Sequence, residues 1–358
     1  MEKHREYTGI DLFKLIFSFF VVFIHCHPEE DPFSFVLANG IGRLAVPFFF
    51  CAAGFFLAQK TLYAPVELCR KGRKTFAWRI IKMYLIWTVV YMPFMLIALR
   101  VGSGLDPLGC LTEYLQGLFF TGSFYHLWYL PALALGAVLV SVLSRRLDPR
   151  AVFVIFLAVY VVGIFNEAYS GLCPPGLSDF YDKIYNPIFE RTRNGLFFAP
   201  VFVSMGYLFA RTDFGKAKSS EKCGKTRNLV LCIVFTVLTC AEALLLEYNG
   251  ITNERYGMYL FVLPATYFCC AYAKELELGW SEKKAYFLRK LSTAIYLVHH
   301  FVYCALVVTL MDTVLGLDEF SRFWKYFVVL AFTLLWAWGM VAAGKKKTKA
   351  GRFFRSLC

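Results

Sequence analysis

The chain has 358 residues, 58% of them hydrophobic and 18% charged, with a mean hydropathy of +0.55. Ordinary globular domains are about 45–50% apolar and about 25% charged, so few soluble folds bury this much apolar surface, whereas lipid solvates it directly. A net charge of +13 would suggest nucleic acid as partner of a soluble protein, but here the cations fall in alternate polar segments, and membrane topology accounts for them.

The predicted fold is an all-α, polytopic membrane helix bundle. Apolar runs near bilayer length recur ten times, at 9–27, 41–59, 76–99, 124–144, 150–166, 194–211, 228–248, 256–274, 291–311 and 323–343. The first, GIDLFKLIFSFFVVFIHCH, follows Lys3 and Arg5 as a signal peptide would. Lys14 inside the run and the lack of a small-residue cleavage site favour a retained helix. Lys14 and His25 stand eleven residues apart, about three turns plus 20°, so they share one face at about 16 Å along the axis. A cation near one end and an imidazole near the other define a polar path. Ionisable groups at membrane depth are costly and usually face a cavity, which makes His25 the candidate catalytic base. The other reading of Lys14 is snorkelling to the inner headgroups. His27 is turned about 200° away and reads as structural.

In the second run Pro47 predicts a kink, and Ala52, Ala53 and Gly54 permit close helix approach. Arg43 at its outer end is either a lining residue near the level of His25 or an interfacial anchor. The third run opens with Arg79-Ile-Ile-Lys82, two cations at i and i+3 behind the basic cluster Arg70 to Lys74. Fixed cations suit a phosphate-rich donor entering from the cytosol, although topology alone also places cations there. The fourth run opens with Tyr125-His126-Leu-Trp128-Tyr129. An aromatic belt explains Trp128 and Tyr129, and His126 is a candidate for lining the outer mouth. Glu242 in the seventh run and His299 in the ninth are further candidates for pore or acceptor lining, a helix–helix hydrogen bond being the alternative for His299.

The polar segments alternate in charge. The basic set is Lys3/Arg5; Lys60 with Arg70 to Lys74; Arg145, Arg146 and Arg150; Lys216 to Arg227; Lys283 to Lys290; and Lys345 to Arg355. The acidic or mixed set is Glu29 to Asp31; Asp106 and Glu113; 167–193; Glu247 and Glu254; and Asp312 to Glu319. By the positive-inside rule both termini are cytoplasmic, in a multi-pass protein of the cytoplasmic membrane. The expected organisation is a transmembrane domain over 1–344 and a basic cytoplasmic tail over 345–358 that touches anionic headgroups. The segment 167–193, with Pro174, Pro175 and Gly176, is either a cap over a binding site or an irregular surface loop. Twelve scattered cysteines without a CxxC predict neither a disulfide framework nor a metal site. No G-x-S-x-G, Walker loop, H-E-x-x-H or dinucleotide fingerprint occurs.

Together these pieces resemble the membrane acyltransferase-3 family, O-acyltransferases that modify lipopolysaccharide, peptidoglycan and exported glycans in bacteria. Lys14 and His25 match the family's basic-x10-His spacing. AVPFFFCAAGFFL resembles its VPLFFxxSGF helix, with Ala53 where Ser is usual. Arg79-Ile-Ile-Lys82 resembles its R-x-x-R, with Lys second, and HLWYL and STAIYLVHHF resemble later signatures. IDLFKLI, RLAVPFFF and RTRNGLFFAPVF are similar in particular to the membrane half of vancomycin-resistance serine racemases, a relative of the same family associated with serine transport. No racemase-like segment is read in the 358 residues.

The resemblance implies acyl transfer, often acetyl, from a cytoplasmic acyl-CoA donor to a hydroxyl on the outer side, with no bound cofactor. It implies His25 as base and Lys14, Arg79 and Lys82 as donor-binding cations. The alternatives are a serine or amino-acid transporter-like protein without acyl chemistry, and a structural partner in envelope assembly. The topology has a direct check. Alkaline phosphatase inserted within 167–193 is expected to be active, and the same enzyme fused after Cys358 inactive.

Overall fold

The computed structural model describes residues 7–26, 31–104, 106–213, 221–252, 255–317 and 320–357, and among them every regular element is helical. In chain order, α1 (Thr8–His25) precedes α2 (Pro32–Asn39), which a 3-10 turn (Ile41–Leu44) joins to α3 (Ala45–Thr61). Next come α4 (Val66–Ser103), α5 (Pro107–Gln116), α6 (Tyr129–Leu143) and α7 (Pro149–Gly163). Short turns follow, with α8 (Pro175–Phe180), a π turn (Tyr181–Tyr185) and α9 (Asn186–Phe189), then α10 (Ala199–Asp213) and α11 (Glu221–Tyr248). The chain continues through α12 (Val262–Glu275), α13 (Glu282–Tyr303) with a π-helical extension (Cys304–Val314), α14 (Arg322–Gly344) and α15 (Lys349–Leu357).

Each of the ten predicted runs carries a helix, but fewer are long enough to span. Among the described residues, seven helical stretches have the length and apolarity to cross a bilayer: Thr8–His25, Pro32–Thr61, Val66–Arg100, Pro149–Asn166, Gly224–Tyr248, Glu282–Val314 and Arg322–Gly344. The helices α6, α10 and α12 have 15, 15 and 14 residues, about 21–22 Å against a hydrocarbon core of about 30 Å. Each starts late because irregular chain precedes it. Before α10, the Asn194 side chain accepts hydrogen bonds from the backbone N–H of Leu196 at 2.9 Å and Phe197 at 3.3 Å, an Asx turn that delays the helix to Ala199. Such backbone survives at membrane depth only where protein surrounds it. Accordingly Phe124, His126, Leu127, Phe198, Gly257, Met258 and Tyr259 are buried.

Several basic residues read as loops are helical. The 38 residues of α4 extend about 57 Å, so Arg70, Lys71, Arg73 and Lys74 ride on turns beyond the bilayer core. Lys283, Lys284, Arg289 and Lys290 likewise lie in α13, and Lys349, Arg352 and Arg355 of the predicted tail lie in α15.

The chain forms two compact units. The first comprises Met1–Phe49, Lys218–Leu244 and Phe261–Cys358. Here α1 packs along α13 and also meets α12, α14 and the 3-10 turn, while α13 packs on α14. Phe48 stacks on Phe13 at 5.9 Å between ring centres and meets Phe17 at 5.1 Å. At its start α1 touches the end of α12: the Gly9 N–H donates to Leu276 O at 3.0 Å, and a Cβ at Gly9 would collide with the Ala273 carbonyl. Thr8 Oγ1 accepts from the Leu278 N–H at 3.0 Å, closing the same contact.

The second unit comprises Phe50–Ala217 and Leu245–Leu260. Within it α4 packs on α6, α6 on α10 and α10 on α7. Phe50 anchors this packing against Tyr129 at 4.7 Å and Phe198 at 5.9 Å. Asp148 caps α7 by accepting from the Arg150 N–H at 2.9 Å and also holds Arg211 of α10. The hydrogen bond from Arg150, helped by Arg211, lowers the Asp148 pKa. A depressed carboxyl stabilises the fold above its unfolded value near 3.9 and loses that contribution as pH falls through the folded value. Asp148→Ala is therefore expected to melt earlier than wild type at neutral pH, and the difference to close on acidification below about pH 4, read from detergent-solubilised melting curves.

Candidate active site

In the first unit α1 and α13 bring three imidazoles together. His25 lies 4.9 Å from His299 and 5.5 Å from His300 between ring centres, the latter edge-on, and His299 and His300 are 5.9 Å apart. His299 and His300 are buried and His25 is half-buried. Sequence reading anticipated His25 and His299 as candidates; it did not connect them, and it passed over His300.

Helical geometry sets the tautomers. His25 Nδ1 lies 2.7 Å from Val21 O, one turn back on α1. A carbonyl only accepts, so Nδ1 carries the hydrogen and Nε2 keeps its lone pair. His299 repeats the device, its Nδ1 lying 2.8 Å from Tyr296 O and 3.2 Å from Ile295 O. Two neighbouring imidazoles are thus fixed as proton acceptors at Nε2. The order in the chain is enough to do this, because each histidine finds its carbonyl three or four residues back on its own helix.

Ion pairs flank the triad at both ends of the unit. Near the start of α1 Arg289 on α13 pairs with buried Asp11 at 3.2 Å, one turn before the half-buried Lys14. The helix α1 is unbroken from Thr8 to His25, so Lys14 and His25 keep the shared face and the separation of about 16 Å expected from spacing. Near the start of α14 Lys325, only 2% exposed, donates to Asp312 Oδ1 at 2.8 Å. Its neighbour Tyr326 packs edge-on against Phe23 of α1 at 4.9 Å, two residues before His25. Arg289 and Lys325 were not singled out from sequence. The usable signal was Lys325 itself, a lysine inside an apolar run.

The remaining predicted residues are placed as follows. The Arg43 guanidinium donates to Asn39 Oδ1, which anchors it on the turn before α3. Glu242 Oε2 accepts from the Phe261 N–H at 2.8 Å, at the start of α12, a capping contact that explains its burial without a ligand. In the second unit Arg79 and Lys82 are exposed on α4, with the Arg79 guanidinium 5.7 Å over the Phe76 ring. His126 is buried there in the turn before α6, edge-on to Tyr91 at 4.9 Å. His126, His299 and His300 are each buried imidazoles with the chemistry to ligate a metal ion.

The family profile described as Acyltransferase domain matches residues 7–342. The chain belongs to the acyltransferase-3 family. It is accordingly a multi-pass membrane protein. Curated relatives carry other names. The chain is 30% identical over 299 residues to a serine/alanine racemase of Enterococcus gallinarum, covering 81% of this chain and 40% of that protein. It is 29% identical over 273 residues to an amino-acid racemase of Enterococcus faecalis, covering 75% of this chain and 36% of that protein. The chain thus spans about two fifths of the length of the curated relatives it matches. No solved structure matches it.

The Lys325–Asp312 pair, whose lysine is buried while its aspartate is partly exposed, should behave asymmetrically. Asp312→Ala strands a buried ammonium and is expected to cost about 3 kcal/mol, whereas Lys325→Met, which removes the buried charge itself, is expected to cost about 1 kcal/mol or less. Denaturant titration of both variants in micelles checks the difference.

Proposed function

We propose that this protein is an acyltransferase that moves an acyl group, acetyl in the first instance, from cytoplasmic acyl-CoA to a hydroxyl of a cell-envelope glycan or related acceptor, with His25 as the base. The observation that carries this reading is the tautomer of His25, whose Nδ1–H is spent on Val21 O so that Nε2 can accept a proton. In the transfer, the acceptor O–H gives its proton to Nε2 as its oxygen bonds to the acyl carbon. The thioester C–S bond then breaks, and the coenzyme A thiolate leaves and is reprotonated. His299, tautomerised the same way beside it, supports His25 as a neutral neighbour that raises no charge repulsion when the proton arrives.

Lys14 on α1 and Arg79 and Lys82 on α4 are assigned to the donor's phosphates. Each lies toward the end of its helix that the charge pattern puts inside. The rise of about 16 Å between Lys14 and His25 is of the order that a pantetheine arm bridges.

The likeness to racemases favours a second reading, an amino-acid-handling membrane protein without acyl chemistry. One experiment separates the two: purified protein in proteoliposomes, assayed for acyl-CoA consumption with a hydroxylated glycan acceptor and, in parallel, for serine uptake. Under the first reading His25→Ala lowers transfer by about two to four orders of magnitude at unchanged melting temperature. Arg79→Ala and Lys82→Ala instead raise the KM for the donor. Full transfer by His25→Ala would overturn the base assignment, and serine uptake without thioester consumption would favour the second reading.

A further inference from the structure

A second polar centre lies in the other unit, apart from the imidazoles. Glu167 follows the 3-10 turn that ends α7 and is 0% exposed, yet neither carboxylate oxygen has a hydrogen-bond partner. Several groups around it make hydrogen bonds of their own. Thr192 Oγ1 donates to Gly163 O at 2.6 Å, Tyr160 Oη to Tyr259 O at 2.7 Å, and Arg255 holds Asn166 through its backbone and side-chain oxygens at 3.0 and 2.9 Å. A carboxylate left bare amid completed bonds has a physical cost of several kcal/mol unless something occupies it.

Gly257 brings the backbone directly against this carboxylate. Glu167 Oε2 stands 2.5 Å from the point a Cβ at Gly257 would take, and Arg193 Cδ stands 3.2 Å from it. Any side chain at 257 would collide with the carboxylate and displace it. The nearby cation does not fill the role: the Arg193 guanidinium sits 5.0 Å over the Trp128 ring and makes no hydrogen bond to Glu167. Tyr185 is the other polar neighbour. Burial pushes its phenol up to about 12, with the Glu167 charge adding to the rise, so it stays protonated.

We propose that Glu167 is the anionic contact of a second small-ligand site, under the 167–193 segment, that takes a primary ammonium group. The ammonium supplies both missing terms, a positive charge and up to three N–H donors for the two oxygens. A metal cation is the weaker fit. Oxygen-bound cations need about six ligands, and among the described residues no grouping of three His, Cys, Asp or Glu includes Glu167. This site is independent of the acyl-transfer reading, since it uses none of the residues assigned there.

The test is thermal unfolding of the full-length protein in micelles, titrated with ethylammonium chloride. Tetramethylammonium chloride and sodium chloride at equal ionic strength serve as comparisons. Ethylammonium is expected to raise the melting temperature saturably, while tetramethylammonium, which has no N–H, and sodium do not. Glu167→Gln and Gly257→Ala are each expected to weaken the ethylammonium response by about tenfold or more. No saturable response in wild type, an equal response to sodium or tetramethylammonium, or an unchanged response in folded Glu167→Gln would overturn the proposal. The comparison of salts uses wild type alone, so it decides the matter even if a variant does not fold.

Discussion

The hydrogen bond from His25 Nδ1–H to Val21 O, 2.7 Å and one helical turn long, is the constraint on which the proposed chemistry depends. It costs the helix little, because Val21 O already belongs to the backbone ladder and a carbonyl has a second lone pair to offer. It decides, however, which nitrogen is basic. Without it the imidazole could take either tautomer, and half of them would present an N–H where a lone pair is required. Packing of α1 along α13 then places His299, locked the same way, beside it.

The two units handle buried polarity differently. In the first, charged groups are consumed in pairs, Asp11 with Arg289 and Lys325 with Asp312, and Glu242 is consumed by a helix start. Such groups hold helices in register. In the second, helices are shortened by irregular chain, and the buried backbone there is satisfied by Asn194, Thr192, Tyr160 and Arg255. The Glu167 carboxylate lies beyond the reach of those hydrogen bonds.

Membrane character, helical class and the leading helix were legible in the sequence because each rests on local properties. Apolar runs must be helical in lipid, and an eleven-residue spacing on an unbroken helix has one geometric outcome. His25 and Lys14 were readable for that reason. The span count was not, because hydropathy sees residues and not the Asx turn at Asn194 that delays α10. Basic clusters at 70–74 and 283–290 were read as loops since charge marks the exit from lipid but says nothing of where the helix stops.

What the sequence by itself determined is therefore a membrane helix bundle, its family, and a cation and an imidazole on one helix face. What only the tertiary structure decided is which other side chains meet them: His299 and His300 beside His25, Arg289 on Asp11, Lys325 on Asp312, and Glu167 left bare next to Gly257. Most of those meetings join residues far apart in the chain. They follow from which helices pack together, and in lipid that choice is made by small-residue contacts and shape, as at Gly9, rather than by any periodic signal along the chain.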